Sequence, residues 1–289
     1  SGFDDGRIVR FDARGNLIRT VSQTGGRPLG LRFHPDGSLL VCDAVRGLLR
    51  VNLPGGRTEC LADEAEGVRI GFADDLDIDK AGRYVYFTDA SSKWHYNEDL
   101  FDLIEHGGHG RLLRHDLKTG ETTVLMRDLQ FANGVTLGPD DAYVLVTETG
   151  GYRVHRYWLT GERAGSHEVW LDNLPGFPDN IRFNGHDRFW LALPLPRDSM
   201  LDYLAPYPVL RLALMQYVRY RSLPMNHMAF VLGIDLQGRV VANLQHHGDD
   251  AFRFITQVLE HEGWLYCSSL QERTLARVSL ARLPVTASA

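Results

Sequence analysis

An all-β fold, a six-bladed β-propeller, is the architecture this sequence predicts, and three observations predict it. A turn-and-polar signal enters a short apolar strand five times. Each such strand is followed by a tight turn and a second apolar strand. The copies run from end to end, so the 289 residues are expected to form one propeller domain, 1–289. Pro28-Leu29-Gly30-Leu31 precedes Pro35-Asp36-Gly37 and Leu39-Leu40-Val41. Asp74-Asp75-Leu76 precedes Lys80-Ala81-Gly82 and Tyr84-Val85-Tyr86-Phe87. The same frame recurs at residues 131–147 and 178–192, with a degenerate copy at 255–266. Repeats of four short strands are the mark of a propeller.

The blades follow in order. Gly6-Arg7-Ile8-Val9-Arg10-Phe11 and Asn16-Leu17-Ile18-Arg19-Thr20-Val21 read as two outer strands joined by Asp12-Ala13-Arg14-Gly15. No inner pair precedes them, so blade one is expected to be half a blade, completed by residues upstream in the natural gene. Its open edge would invite pairing with another chain. Blade two runs over 28–63, blade three over 72–129, blade four over 131–174. Blade five starts at Pro178 and resumes over 229–244, and blade six covers 255–280. Two insertions, 90–110 and 194–228, each follow a second strand. Strands alternate in direction within a blade, so both insertions should cover the rim from which Asn133, Asp179 and Asn180 emerge. In the first, Asn97-Glu98-Asp99 can cap a helix through Leu100, Phe101, Leu103 and Ile104, stopped at Gly107-Gly108. In the second, Leu210, Leu214, Tyr217 and Val218 are expected on one helical face, with Arg211, Arg219 and Arg221 between them. Such a helix can lie on a membrane surface, but packing as a lid on its own protein is the favoured expectation. Trp94, Phe101, Tyr203, Leu210 and Leu214 are then the apolar residues that would meet a substrate.

Composition excludes several functions. A formal net charge of −6 argues against a nucleic-acid partner. No run of about 18 apolar residues exists, so no spanning helix is expected. The start is not a signal peptide, and a soluble bacterial protein of the cytoplasm or periplasm is the expectation. Cys42, Cys60 and Cys267 lack metal-ligand spacing and are read as buried free thiols. His106 and His109, like His246 and His247, do not form the His-Glu-x-x-His arrangement of a zinc hydrolase and are read as solvated loop residues, although His109 or His247 could reach a rim-level site. No Gly-x-Ser-x-Gly elbow is present.

What remains is a polar cluster. Inner strands converge on the propeller axis, so Asn133, Asp179 and Asn180 should meet Asp74 or Asp75 there. Unpaired converging carboxylates are costly to desolvate, and a cation compensates them. Carboxylate and amide oxygens without sulfur or imidazole suit a hard divalent ion, calcium first, with magnesium or manganese open.

Residues 87–94, 110–116, 131–135 and the string Leu174-Pro175-Gly176-Phe177-Pro178-Asp179-Asn180-Ile181-Arg182 closely resemble the strictosidine synthase-like family. The likeness is to its adipocyte plasma membrane-associated branch, within the wider group of senescence-marker gluconolactonases and paraoxonases. The resemblance implies a six-bladed propeller whose hydrolytic members hold a catalytic divalent ion in the channel, with ligands at Asn133, Asp179 and Asn180. Asp74 and Asp75 match an Asn-Asp pair of the family. The family's glutamate ligand in a Gly-Pro-Glu segment has no counterpart here. Leu29 stands where paraoxonases carry a proposed catalytic histidine, and Thr256 where plant strictosidine synthases carry their catalytic glutamate. The expected activity is metal-dependent hydrolysis of small apolar esters or lactones, with Asp179 as base or nucleophile. Pictet–Spengler carbon–nitrogen ligation and a non-catalytic propeller with a structural metal are the alternatives.

Overall fold

The computed structural model describes residues 1–12, 15–53, 55–220 and 228–283. Two parts of the expected plan, the turn residues Ala13 and Arg14 and the helical Arg221, lie outside these. Five propeller blades are present. The first is β3 (Pro28–Phe33), β4 (Leu39–Asp43), β5 (Gly47–Asn52) and β6 (Arg57–Ala62), preceded by a hairpin of β1 (Arg7–Phe11) and β2 (Leu17–Gln23). A two-residue ladder, β7 (Glu64–Ala65) with β8 (Val68–Arg69), leads to the next blade. That blade is β9 (Ala73–Ile78), β10 (Tyr84–Asp89), β11 (Gly110–Asp116) and β12 (Thr122–Leu129). β13 (Ala132–Leu137), β14 (Tyr143–Glu148), β15 (Arg153–Trp158) and β16 (His167–Leu171) form the third. The fourth is β17 (Ile181–Phe183), β18 (Arg188–Ala192), β19 (Met228–Asp235) and β20 (Val240–His247). The last has three strands, β21 (Ile255–His261), β22 (Trp264–Ser269) and β23 (Ala276–Ser279).

The count of six is therefore corrected to five. β1 and β2 have the period and turn of outer blade strands, but they pair with each other and, at Ile8, with Gly2, and join no blade. A blade needs an inner pair to present a strand to the axis, and these residues supply none.

The repeats align on their strand registers. Leu31 faces Val41, Leu76 faces Phe87, Val135 faces Val146, Ile181 faces Leu191 and Val258 faces Cys267. Two devices recur in this frame. Two residues after the second-strand member stand Asp43, Asp89, Glu148 and Ser269, whose oxygens bind local backbone N–H groups. Asp43 accepts from the N–H of Arg27, Val45 and Arg46, Asp89 from Gly71 and Phe72, and Glu148 from Gln130. Ser269 accepts from Gln271 and Glu272. These oxygens satisfy donors that leave the ladder at the rim, where an unpaired buried N–H would be costly. One residue earlier, Thr88 donates to the carbonyl of Asn133 (2.5 Å) and Thr147 to that of Asp179 (2.7 Å). Each threonine ties its blade to the inner strand of the next.

Apolar side chains of adjoining sheets fill the spaces between blades, as Leu145, Ile181, Phe189, Leu191 and Leu232 do between the third and fourth. Cys42 and Cys267 are buried thiols there; Cys60 is exposed, because β6 is an outermost strand. Among the described residues no helix is long and apolar enough to cross a membrane.

Candidate functional site at the propeller axis

Two positions before the aligned inner-strand residue stand Leu29, Asp74, Asn133, Asp179 and Thr256, one from each blade. This is the ring the repeats converge on. One position later stand Gly30, Asp75, Gly134, Asn180 and Gln257. The glycines permit the approach: a Cβ on Gly30 would lie 2.7 Å from Asp75 Cα, and one on Gly134 2.5 Å from Asn180 Cα.

The two neighbouring aspartates differ sharply. Asp75 is fully buried and both its oxygens are engaged, one by the guanidinium of Arg182 and the other by the backbone N–H of Val135 (2.9 Å). Arg182, itself 1% exposed, also donates to the carbonyl of Val135 and faces Gln257, whose amide oxygen accepts at 2.8 and 3.1 Å once turned toward it. Asp75 is thus a neutralised structural group, and the expectation that it could be a ligand is corrected: a cation would have to displace a buried arginine.

Asp74 and Asp179 have no such counter-charge. Burial, then the charge of Asp75, pushes the Asp74 carboxyl up to about 8, although Arg27 opposes this. Burial raises Asp179 well above the carboxylate range, with Asp74 and Asp75 adding repulsion against donors from Asn180 and Asn133. Asn180 Nδ2 bridges Asp179 Oδ1 (2.8 Å) and the Thr256 carbonyl (2.9 Å). Asn133 Oδ1 is buried with no hydrogen-bond partner among the described residues. Two uncompensated carboxylates beside an orphaned amide oxygen are a donor set lacking its positive charge, so Asp74, Asn133, Asp179 and Asn180 fit a hard divalent cation. The fit is one of mixed ligands: among the described residues no three His, Cys, Asp or Glu side chains group as a metal site.

A prediction follows for metal-free protein. The folded Asp74 pKa of about 8 lies above the ordinary ~4. The stability it contributes is then fully present below about pH 4 and lost as pH rises through about 8. The melting temperature in EDTA is expected to fall between pH 6 and 8.5, and millimolar calcium to remove the fall. A flat EDTA profile overturns this.

Over this rim lie the helices of the insertions. α1 (Asp99–Glu105) ends at His106 in a left-handed conformation and packs against α3 (Pro208–Val218), which follows α2 (Ser199–Leu204). Asp198 caps α2, accepting from the N–H groups of Met200 and Leu201. Trp94 packs against Phe101 with ring centroids 5.6 Å apart and planes tilted by 57°, and donates from Nε1 to Glu105, while Arg219 lies 5.4 Å from the Phe101 ring. The expected face of α3 is corrected. Met215 is buried and Arg211, Leu214 and Val218 half-buried, whereas Leu210 (48% exposed) and Tyr217 (58%) face outward with Tyr203 (69%). The docking face is set by contact with α1, which apolar spacing alone does not specify.

Between the helices and the rim is a small, partly open cleft, lined by Leu103, Ile104, His106, Tyr152, Phe177, Asp202 and Arg211 among others. None of these residues is assigned to a cleft by the sequence: Leu103 and Ile104 are placed in a helix, Arg211 in the second insertion's helix, Phe177 in the family string and His106 in a solvated loop. His106 is instead half-buried, and burial and Arg211 lower its pKa. Missed too were Arg182, Thr88 and Thr147. The dipeptides Thr88-Asp89 and Thr147-Glu148, at matching ends of second strands, are the signal that could have found the threonines.

Comparison with known proteins agrees with this architecture. The strictosidine synthase family profile matches residues 74–162. Strictosidine synthase-like 6 of Arabidopsis thaliana is 37% identical over 289 residues, 98% of this chain and 76% of that protein. Adipocyte plasma membrane-associated protein of Salmo salar is 35% identical, over 98% and 73%. Solved structures of similar fold include a putative gluconolactonase (TM-score 0.63, 18% identity, 95% of this chain and 81% of that one). A calcium-binding regucalcin of Agrobacterium tumefaciens (0.60, 14%, 93% and 76%) and a chain of a nidogen–laminin complex (0.64, 12%, 97% and 88%) share it too. With such identity across nearly its whole length, the chain belongs to the strictosidine synthase-like family.

Proposed function

We propose that the protein is a divalent-cation-dependent hydrolase of carboxylic esters or lactones, with calcium as the cation. The observation that carries this reading is the pair of buried, uncompensated carboxylates, Asp74 and Asp179, beside the orphaned oxygen of Asn133. A cation held by Asp74, Asn133, Asp179 and Asn180 would polarise the substrate carbonyl. Asp179 is the candidate catalytic group, a carboxylate that would take a proton from water beside the cation. Asn180, bonded to Asp179 Oδ1 and to the Thr256 carbonyl, fixes that carboxylate's orientation. The half-buried lid residues Trp94, Phe101 and Leu214 favour apolar substrates over free sugar lactones; Tyr203 and Leu210 point away and take no part. Similarity of fold to a gluconolactonase and to a calcium-binding regucalcin supports the reading.

Carbon–nitrogen ligation is disfavoured because the ring position that would need a base holds Thr256, which does not ionise near neutral pH. The test is a panel of aryl esters and lactones assayed with EGTA and after calcium add-back, with tryptamine plus secologanin in parallel. Chelator-sensitive ester or lactone turnover, and no strictosidine above background, is the expected result. A calcium-dependent rise in melting temperature with no turnover anywhere in the panel would instead identify a binding protein with a structural ion.

A further inference from the structure

The cleft under the insertion helices contains a charge that no group among the described residues answers. Arg211 projects from the first turns of α3, and its Nε and Nη1 are buried without a hydrogen-bond partner among the described residues. The nearby acids are already used. Asp202 accepts from Arg197 Nε (3.0 Å) and from the Tyr152 hydroxyl. Glu148, below the cleft floor, is bound by Arg153 and His155. His106, on the wall opposite, has its pKa lowered first by burial and then by Arg211 itself, so near neutral pH it adds no charge. The remaining walls, Leu103, Ile104, Phe177 and Leu201, are apolar. Two buried guanidinium donors without a partner are costly unless an acceptor meets them, and arginine is the side chain best shaped to receive a carboxylate.

We infer that the cleft between the two insertions is a binding site for an apolar organic acid, its carboxylate held by Arg211 and its hydrocarbon body by Ile104, Phe177 and Leu201. The site adjoins the axial ring through short covalent and hydrogen-bonded links. Phe177 lies two residues before Asp179, and Thr149, beside Gly150 of the cleft wall, donates to the Pro178 carbonyl (2.7 Å). It does not depend on the hydrolase reading, since acid binding here needs no cation at the axis.

The test is calorimetric titration of the whole chain in EDTA, which empties any axial cation site, with octanoate, 1-octanol, octylamine and octyl sulfate as probes. Octanoate is expected to bind about ten-fold more tightly than octanol, the factor a charge-assisted hydrogen bond confers. Octylamine should not bind. Arg211→Met should bring octanoate down to the level of octanol. It should also leave the ligand-free melting temperature unchanged or higher, because an unpaired buried charge has been removed. Ala205→Trp, which fills the cleft, should abolish both probes. Equal affinity for octanoate and octanol, octanoate affinity undiminished in Arg211→Met, or preference for octyl sulfate over octanoate would each overturn the assignment. So would a large fall in the melting temperature of unliganded Arg211→Met, which would mean that the guanidinium has a structural partner.

Discussion

Asp179→Ala is expected to weaken calcium binding by more than about 100-fold, beyond the 10–100-fold that losing an outer-shell partner costs, and to abolish ester or lactone hydrolysis. One substitution removes a ligand, half of the uncompensated charge and the candidate base together. The same variant should be no less stable in EDTA. Asp74 loses a like-charged neighbour, and the acceptor leaving Asn180 still has the Thr256 carbonyl to bond. A ligand residue whose loss spares the metal-free fold is distinct from a packing residue, and calorimetry with calcium plus melting in EDTA separates them. Calcium affinity unchanged in Asp179→Ala would refute the axial site. Asn133→Asp makes a contrasting variant: it should keep the ion but change turnover, since added negative charge makes the cation a weaker Lewis acid.

Arg182→Met is expected to do the opposite, destabilising the fold with or without calcium by about 3–5 kcal/mol, the usual cost of orphaning one partner of a buried ion pair. For a chain of this size that lowers the melting temperature by on the order of 10 °C. Asp75 would be left fully buried with only the Val135 N–H as donor, and Gln257 and the Val135 carbonyl would lose theirs. Combining it with Asp75→Asn should recover much of the loss, because the stranded charge goes too. A double-mutant cycle reads that coupling directly. Independent, additive effects would show that the two side chains do not act as a pair.

Much of this molecule is legible in its sequence. The turn-then-strand frame located the inner strand pairs of all five blades within a few residues. It also singled out the register position that carries Asp74, Asn133 and Asp179, because an alternating strand fixes which side chains face the axis. The blade count was not legible: a hairpin such as Arg7–Phe11 with Leu17–Gln23 has the same period whether or not an inner pair stands beside it. Nor could the sequence tell Asp74 from Asp75. They are adjacent and alike, and only the arrival of Arg182, 107 positions away, gives one a counter-charge and leaves the other without one. Long-range pairings of this kind carry no local periodicity. Arg211 was invisible for a related reason: on α3 it looked like a solvated residue of a polar face, until contact with α1 turned that face inward.

The close approach of inner strands at Gly30 and Gly134 has a bearing on how the family can vary. With no Cβ between them, neighbouring inner strands are separated by backbone thickness alone, so the bore of the channel is gauged by main chain and not by the polar side chains that line it. Ligand chemistry can therefore change at Leu29, Asp74, Asn133, Asp179 or Thr256 while the aperture stays constant. Widening it requires a change at a glycine, and Gly134→Ala would press on the main chain of Asp179 and Asn180 and so spread two blades apart.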